Sequence, residues 1–393
     1  MRIAVFTDTF IPQINGIVTS VVNSSKILAE KNHEIHIFSI KLKNHSPINL
    51  GKNINISFYR GIQFFNYADF KMVLPKYFNC MKTILNFKPD IIHIHTPTLL
   101  GWYGLVIARF LNIPKVGTYH TLLPGFLKHA KFSHMIKNKK AKHIAWKYGN
   151  LFYNKCDIVI APSEIIKKEL IKNGLKSKIE VISNGVDLHN FYLKEMRKEV
   201  DLLYIGRISY EKNIDVLIRA VKIVSKKIPK INMWIVGRGP DEQKLLKLIR
   251  KLHLTKNITL KKAVDNSKLV DYYNKAKIFV SASTIETEGI TFLEAMACGL
   301  PLLGVNKLAM KDLILQGKNG LKSQVGDPPA LAKNIIKLLE DETLRKKMAL
   351  TSLALSKDFD VHKTVEKLET LYKSLIILKE TDSKIHYTSQ NHI

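Results

Sequence analysis

Ile278-Phe-Val-Ser-Ala282-Ser283-Thr-Ile-Glu286-Thr-Glu288-Gly289-Ile290-Thr-Phe-Leu-Glu294-Ala-Met-Ala-Cys298-Gly299 reads as a buried strand, a loop and a helix. It carries two carboxylates, Glu286 and Glu294, eight positions apart. Glu286 falls in the loop after the strand Ile278–Ala282, and Glu294 inside the helix. Eight residues at 3.6 per turn nearly close on one face. Both side chains are therefore expected to point into the crevice at the carboxyl end of a strand, where open α/β sheets bind ligands. A carboxylate pair there accepts hydrogen bonds from a polyol such as a sugar or ribose.

Outward from this stretch, strand-like and helix-like runs alternate in two series. Arg2–Phe6, Glu34–Ser39, Asp90–His95, Lys115–Tyr119 and Asp157–Ala161 read as buried strands, with helices such as Val18–Lys31 and Glu164–Asn173 between them. The pattern restarts with strands Asp201–Ile205, Asn232–Val236, Ile258–Leu260, Ile278–Ala282 and Leu302–Val305 and helices Ile214–Lys227 and Asp241–Leu252. Alternation of this kind predicts parallel sheets flanked by helices. Two series predict an α/β chain of two Rossmann-like domains, 1–190 and 191–360. The boundary lies near Asn184–Glu199, where an Asn-Gly turn signal precedes a charged stretch. The polar segment 380–393 is expected to be disordered.

The 393 residues suffice for two domains. No apolar run reaches the ~18 residues of a membrane span; the longest, Leu99–Ala108, stops at Arg109. Residues 1–6 read as a strand rather than a secretory signal. Cys80, Cys156 and Cys298 share no C-x-x-C spacing, which fits a reducing cytosol and argues against a thiolate metal site. The net charge is +29, from 53 Lys and nine Arg against 33 acids. Base-composition drift also produces lysine-rich chains, so the distribution says more than the total. Between Ile35 and Cys156 there are 18 Lys plus Arg and only two acids, Asp69 and Asp90. So asymmetric a basic surface suggests an anionic partner, membrane lipid or nucleic acid.

Other motifs fall in order along residues 1 to about 340. Phe6-Thr-Asp-Thr-Phe-Ile-Pro-Gln-Ile-Asn-Gly16 follows the first strand, and Gly117-Thr-Tyr-His120-Thr121 ends a later one. Ser183-Asn-Gly185-Val-Asp187 marks the domain boundary. Tyr204-Ile-Gly206-Arg207-Ile-Ser-Tyr-Glu-Lys212-Asn213 and Ile235-Val-Gly237-Arg-Gly239-Pro240 open the second series. With the E-x7-E spacing, this set resembles the family-4 retaining glycosyltransferases of GT-B fold. The Asn15-Gly-Ile-Val-Thr-Ser-Val opening, the chain length and the basic, aromatic first domain resemble the bacterial diacylglycerol glycosyltransferases, the monoglycosyldiacylglycerol synthases.

Each residue has a plainer reading. Arg207 and Lys212 alone would be two solvated charges after a strand. After Gly206 and before the Glu pair, they suit a departing nucleotide diphosphate, whose growing charge fixed cations stabilise. Glu288 reads as a helix-start acid favoured by the macrodipole. The amides of Gly289 and Ile290 begin the helix and can receive phosphate oxygens. Gly16, and Gly206 and Gly237 by resemblance, let backbone approach the donor. The resemblance implies that Glu294 holds the ribose hydroxyls, Glu286 the transferred sugar, and His120 the transition state. It also implies that helix Val361–Leu378 crosses back to the first domain. His93 and His95 alternate on one strand, one expected toward core and one toward the cleft; no third ligand accompanies them. There is no G-x-G-x-x-G after the first strand, which argues against a dinucleotide cofactor. The only D-x-D, Asp358-Phe-Asp360, suits a helix cap. No protein-bound metal is expected, Mg2+ acting at most as a stimulant.

On the acceptor side, Phe126–Tyr153 mixes seven lysines with aromatics and has no acid. Phe126, Lys137, Lys139, Lys140, Lys142 and Trp146 are the candidate contacts with an anionic membrane surface; a solvated basic helix over the core is the plain alternative. Phe64–Phe78 could be a second contact. The expected activity is transfer of glucose or galactose from a UDP-sugar to diacylglycerol by a cytoplasmic enzyme peripheral to the inner membrane face. A glycosyltransferase of lipopolysaccharide-like or other glycan synthesis is the runner-up, and a sugar-nucleotide epimerase the third reading. A basic nucleic-acid-binding protein would explain the charge but not the Glu pair, and no nucleic acid partner is expected.

Overall fold

The computed structural model describes residues 1–13, 15–41, 48–63, 71–73, 77–122 and 139–390. It forms two compact units, Met1–Ser183 with His362–Ile393, and Asn184–Val361.

The first unit runs β1 (Arg2–Phe6), α1 (Gly16–Glu30), β2 (Glu34–Lys41), β3 (Ile54–Gln63), β4 (Lys71–Val73), α2 (Tyr77–Phe87), β5 (Ile91–Ile94), α3 (Leu99–Phe110), β6 (Lys115–Thr118), α4 (Lys139–Tyr153), β7 (Ile158–Ala161), α5 (Glu164–Lys172) and β8 (Lys178–Val181). The sheet order is β4-β3-β2-β1-β5-β6-β7-β8. All its pairings are parallel except β3 with β4. Ile3, Ala4, Val5 and Phe6 are all buried, as expected of a strand covered by helices on both faces. The C-terminal helix Val361–Gln390 belongs to this unit. Glu369 on that helix accepts from Lys31 and Lys373 and meets His33, and Tyr372 reaches His93.

The second unit runs β9 (Val200–Ile205), α6 (Ile214–Lys227), β10 (Met233–Val236), α7 (Glu242–Lys251), β11 (Ile258–Lys261), α8 (Asn266–Asn274), β12 (Ala276–Val280), α9 (Ile290–Ala297), β13 (Leu302–Val305), α10 (Met310–Leu313), β14 (Gly320–Ser323), α11 (Pro328–Glu340) and α12 (Glu342–Ser356). Its sheet is wholly parallel, in the order β11-β10-β9-β12-β13-β14. Helix α6 shows why the packing forms. Ile214, Leu217, Ile218, Val221 and Val224 recur at helical spacing and are all buried. Each such side chain contributes about 1.5–3 kcal/mol by leaving water.

The structure differs from the sequence expectations in several places. β3, β4, β8 and β14 were not anticipated; β4, β8 and β14 are short and lie at or near sheet edges. The first unit ends at Ser183 rather than 190. The following segment is tied to the second unit: the Lys194 amide donates to Asn274 Oδ1 at 2.8 Å. Residues 380–390, expected to be disordered, continue the C-terminal helix, because extending an existing helix costs far less than nucleating one.

Candidate active site

In the second unit the chain moves from β9 outward to β10 and β11, then returns to β12 beside β9. This is a topological switch point, where the loops after two adjacent strands part and leave a ligand crevice. The loop after β9 carries Gly206, Arg207 and Lys212. The loop after β12 carries Glu286.

Local contacts set these loops. Gly237, after β10, has φ +154°, and a Cβ there would lie 2.0 Å from the Gly206 carbonyl oxygen. Only glycine lets these two turns touch. The Gly206 amide donates to Val236 O at 3.0 Å. The buried Tyr204 hydroxyl donates to Arg207 O at 2.9 Å, fixing the backbone of the part-exposed Arg207. Lys212 ends a single 3-10 turn, and Asn213 follows in the left-handed conformation. Asn213 Nδ2 donates to Ala282 O at 3.1 Å, tying the β9 loop to the end of β12.

Lys212 Nζ consequently meets Glu286 Oε1 at 2.6 Å, with both side chains about one-fifth exposed. Burial pushes the Glu286 carboxyl up, but the Lys212 ammonium and hydrogen bonds outweigh it and hold it below the ordinary value. Glu294 is different. It lies on α9, buried, and accepts from the Tyr273 hydroxyl at 2.6 Å. Burial raises its carboxyl to about 7, against the pull of the Tyr273 hydrogen bond.

As expected, Glu286 lies in the loop and Glu294 on the helix; because α9 begins only at Ile290, the spacing of eight is no helical repeat and the one-face argument drawn from it does not hold. Gly289 is the N-cap at φ +90°, and a Cβ there would strike Met310 Cε at 2.8 Å. Ile290 is the first helical residue. Glu288 is also more than a helix-start acid: its Oε2 accepts from the Asn184 amide at 2.9 Å and from Asn184 Nδ2 at 2.6 Å. Tyr204, Tyr273 and Glu288 were missed as supporting residues, since nothing in the sequence pairs them with their distant partners.

In the first unit, Gly16 is the first residue of α1 rather than a loop residue, with Asn15 as N-cap accepting from the Val18 amide. Strand β6 ends at Thr118, so His120 lies two residues beyond it. His120 Nε2 lies 2.8 Å from His95 Nδ1. Contrary to expectation, His93 and His95 are both buried, their ring centroids 4.0 Å apart. Burial lowers His93 and His120 to about 3 and His95 well below its ordinary value, so all three imidazoles are neutral at pH 7. Asp8, after β1, was also missed. It is buried, accepts from Thr96 at 2.7 Å and from Thr98, and is pushed by burial to about 7.

Of the proposed membrane contacts, Phe126 and Lys137 lie outside the described residues, as does most of Phe64–Phe78. Lys139 starts α4; Lys140 and Lys142 are exposed on it. Trp146 is not a free surface aromatic. It is partly buried and stacks parallel to Tyr119 at 6.3 Å. The exposed apolar residues of α4 are instead Ile144, Tyr148 and Leu151. Trp102 Nε1 donates to the Tyr148 hydroxyl at 3.2 Å, linking α4 to α3, which exposes Val106 and Phe110. Asp358-Phe-Asp360 lies in and just after a 3-10 turn leading into the C-terminal helix. Among the described residues, no three His, Cys, Asp or Glu are grouped to hold a metal ion, and no helix is long and apolar enough to cross a membrane.

Comparison with known proteins bears on this arrangement. The family model for group 1 glycosyl transferases matches residues 188–352, and that for glycosyltransferase family 4 matches residues 14–190. The α-monoglucosyldiacylglycerol synthase of Streptococcus pneumoniae is 31% identical over 329 residues, covering 80% of this chain and 73% of the relative. The chain is a family-4 glycosyltransferase. The Acholeplasma laidlawii α-monoglucosyldiacylglycerol synthase is 28% identical over 394 residues, covering 96% of this chain and 98% of the relative. Among solved structures, Anabaena HepE in complex with UDP-glucose superposes with a TM-score of 0.75 at 18% identity, over 95% of this chain and 100% of that one. The two-sheet architecture is that of GT-B glycosyltransferases.

The Glu294–Tyr273 pair carries a prediction for this glycosyltransferase. On the ribose role that the resemblance implies for Glu294, Glu294→Ala should raise donor KM by about 10-fold or more with kcat little changed, the lost hydrogen bonding being felt equally in ground and transition states. Tyr273→Phe should shift KM in the same direction by less. Steady-state kinetics at varied donor check this; an unaltered KM in Glu294→Ala would remove Glu294 from the donor site.

Proposed function

We propose that this glycosyltransferase moves a hexose, glucose or galactose, from a UDP-sugar to 1,2-diacylglycerol with retention of the anomeric configuration. The carrying observation is the Lys212–Glu286 pair at the switch point of the second sheet, in a chain 28% identical over 96% of its length to an α-monoglucosyldiacylglycerol synthase. The UDP-glucose held by HepE supports a uridine nucleotide donor.

Each residue has a part in that chemistry. Glu294 takes the ribose hydroxyls and Glu286 the sugar hydroxyls. Lys212 keeps Glu286 ionised before donor arrives. As the anomeric C–O bond breaks, charge grows on the diphosphate, and Arg207, Lys212 and the amides at Gly289 and Ile290 stabilise it. Attack comes from the leaving-group face, and the departing phosphate takes the acceptor proton. No resident metal takes part; activity should survive EDTA, and a complete loss restored only by micromolar divalent ion would refute this part.

The acceptor lies in a bilayer, so the enzyme works at its cytoplasmic face as a peripheral protein. Lys140 and Lys142 with Ile144 and Leu151 on α4 suit an anionic surface. Each Lys contributes on the order of 1 kcal/mol there. Replacing Lys137, Lys139, Lys140 and Lys142 with Gln should weaken binding to anionic vesicles by about 2–4 kcal/mol, while transfer to detergent-dispersed acceptor stays near normal. Wild-type pelleting by the quadruple variant would exclude this helix as the docking face.

Incubation with UDP-glucose, UDP-galactose, UDP-N-acetylglucosamine and GDP-mannose against diacylglycerol and glycan acceptors, read by mass spectrometry, tests the whole reading. Hexosyldiacylglycerol from a UDP-hexose supports it. Transfer to a glycan alone would favour the second reading, glycan synthesis.

A further inference from the structure

The first unit holds three histidines in contact, and only His120 is given a catalytic part by the sequence resemblance. Their hydrogen bonds form an ordered set. The Tyr372 hydroxyl, on the C-terminal helix, meets His93 Nδ1 at 2.5 Å. Burial drives the Tyr372 hydroxyl far above its ordinary pKa, so it keeps its proton. The other ring nitrogen of the neutral His93, Nε2, shares a hydrogen bond with Thr118 Oγ1 at 2.7 Å. Thr118 is also held through its carbonyl, which accepts from the Tyr153 hydroxyl at 3.2 Å. Thr118 ends β6 two residues before His120, so this chain fixes the backbone that delivers His120.

The His120 ring is held separately. His95 Nδ1 is 2.8 Å from His120 Nε2, and the rings lie nearly parallel at 5.1 Å. Both are neutral, so one nitrogen of the pair donates and the other accepts. The bond ties the tautomer of His120 to that of His95: where His120 Nε2 accepts, its Nδ1 carries the proton, and where Nε2 donates, Nδ1 accepts. A neutral imidazole whose tautomer is unset presents the wrong nitrogen part of the time.

We infer that His95 is a positioning residue for His120, locking its ring orientation and tautomer through the Nδ1–Nε2 hydrogen bond. His93, Thr118 and Tyr372 form the rigid backing of that pair. The inference rests on the reading of His120 as an active-site residue.

Two nearly isosteric variants test it. The amide of His95→Asn overlies Nδ1 and can keep the bond; the amide of His95→Gln overlies Nε2 and cannot. With UDP-glucose or UDP-galactose and dioleoylglycerol in mixed micelles, His95→Gln should lose about 10- to 100-fold in kcat at nearly constant donor KM. His95→Asn should retain kcat within a few-fold. Thermal melts of both establish folding. A readout independent of substrate is nitrogen-15 NMR of the labelled imidazoles: the His120 tautomer populations should depart from wild type further in His95→Gln than in His95→Asn. Equal kcat, or equal tautomer populations, in the two variants would overturn the inference. His120→Ala separates the two levels. If it turns over normally, the reading of His120 itself fails; if it is slow while the Asn and Gln variants match, only the positioning role of His95 fails.

Discussion

Arg207→Ala should lower kcat by about 100- to 1000-fold while donor KM changes little. The guanidinium emerges beside Gly206 at the carboxyl end of β9, on backbone pinned by the Tyr204 hydroxyl. Donor diphosphate is already charged when bound, but its leaving oxygen gains charge only as the sugar departs. A cation aimed at that oxygen is felt more in the transition state than in the ground state, and its loss falls on kcat. Arg207→Lys should recover only part, because an ammonium lacks the two-pronged geometry of guanidinium on phosphate. Normal kcat in Arg207→Ala at saturating donor would defeat the assignment.

Lys212→Met should be of similar size and should also carry a pH signature. In wild type the Glu286 carboxyl is held below its ordinary value of 4.5. A depressed carboxyl contributes stability that is present above that unfolded value and is lost as pH falls through the folded one. Without the ammonium, burial raises the carboxyl instead, and the contribution disappears. The stability gap between wild type and Lys212→Met should therefore be widest near pH 7 and close as pH falls below the ordinary carboxyl value of 4.5. Because each side chain is about one-fifth exposed, the gap should be roughly 1–3 kcal/mol, less than for a fully enclosed pair. kcat should fall about 100-fold, from loss of a phosphate cation and of an ionised Glu286. Denaturant melts across pH, with kinetics on the same protein, check both. A gap independent of pH would mean that the 2.6 Å contact does not govern Glu286.

Much of this architecture was legible because parallel strands buried on both faces leave continuous apolar runs. Arg2–Phe6, Leu302–Val305 and helix Ile214–Lys227 match the expected bounds to the residue. Edge strand β8 escaped notice because the half-covered Lys178-Ile-Glu-Val181 carries too little apolar pattern, and β14 because Gly320-Leu-Lys-Ser323 is mostly buried yet holds a single large apolar side chain. The spacing of Glu286 and Glu294 drew attention to them as a pair, but the geometric reason given for it does not hold. The spacing suggested one helical face, whereas the left-handed turn at Gly289 separates loop from helix and gives each carboxylate its own partner. Those partners, Lys212 and Tyr273, lie 74 and 21 residues away. Pairings at that range depend on which strands sit side by side, and no local pattern encodes that. The same holds for Tyr372 on His93, 279 residues apart. Trp146 shows the opposite failure: an aromatic among lysines suggested surface, but Tyr119 takes its ring.

The most direct test of the central claim is the anomeric configuration of the product formed from UDP-glucose or UDP-galactose and 1,2-diacylglycerol in mixed anionic vesicles. Both sugars are α-linked to UDP, so retention predicts a hexosyldiacylglycerol whose anomeric proton shows the small coupling of an α-glycoside in NMR. A β-linked product, or no glycolipid from either donor under conditions where the protein binds UDP, would contradict the account.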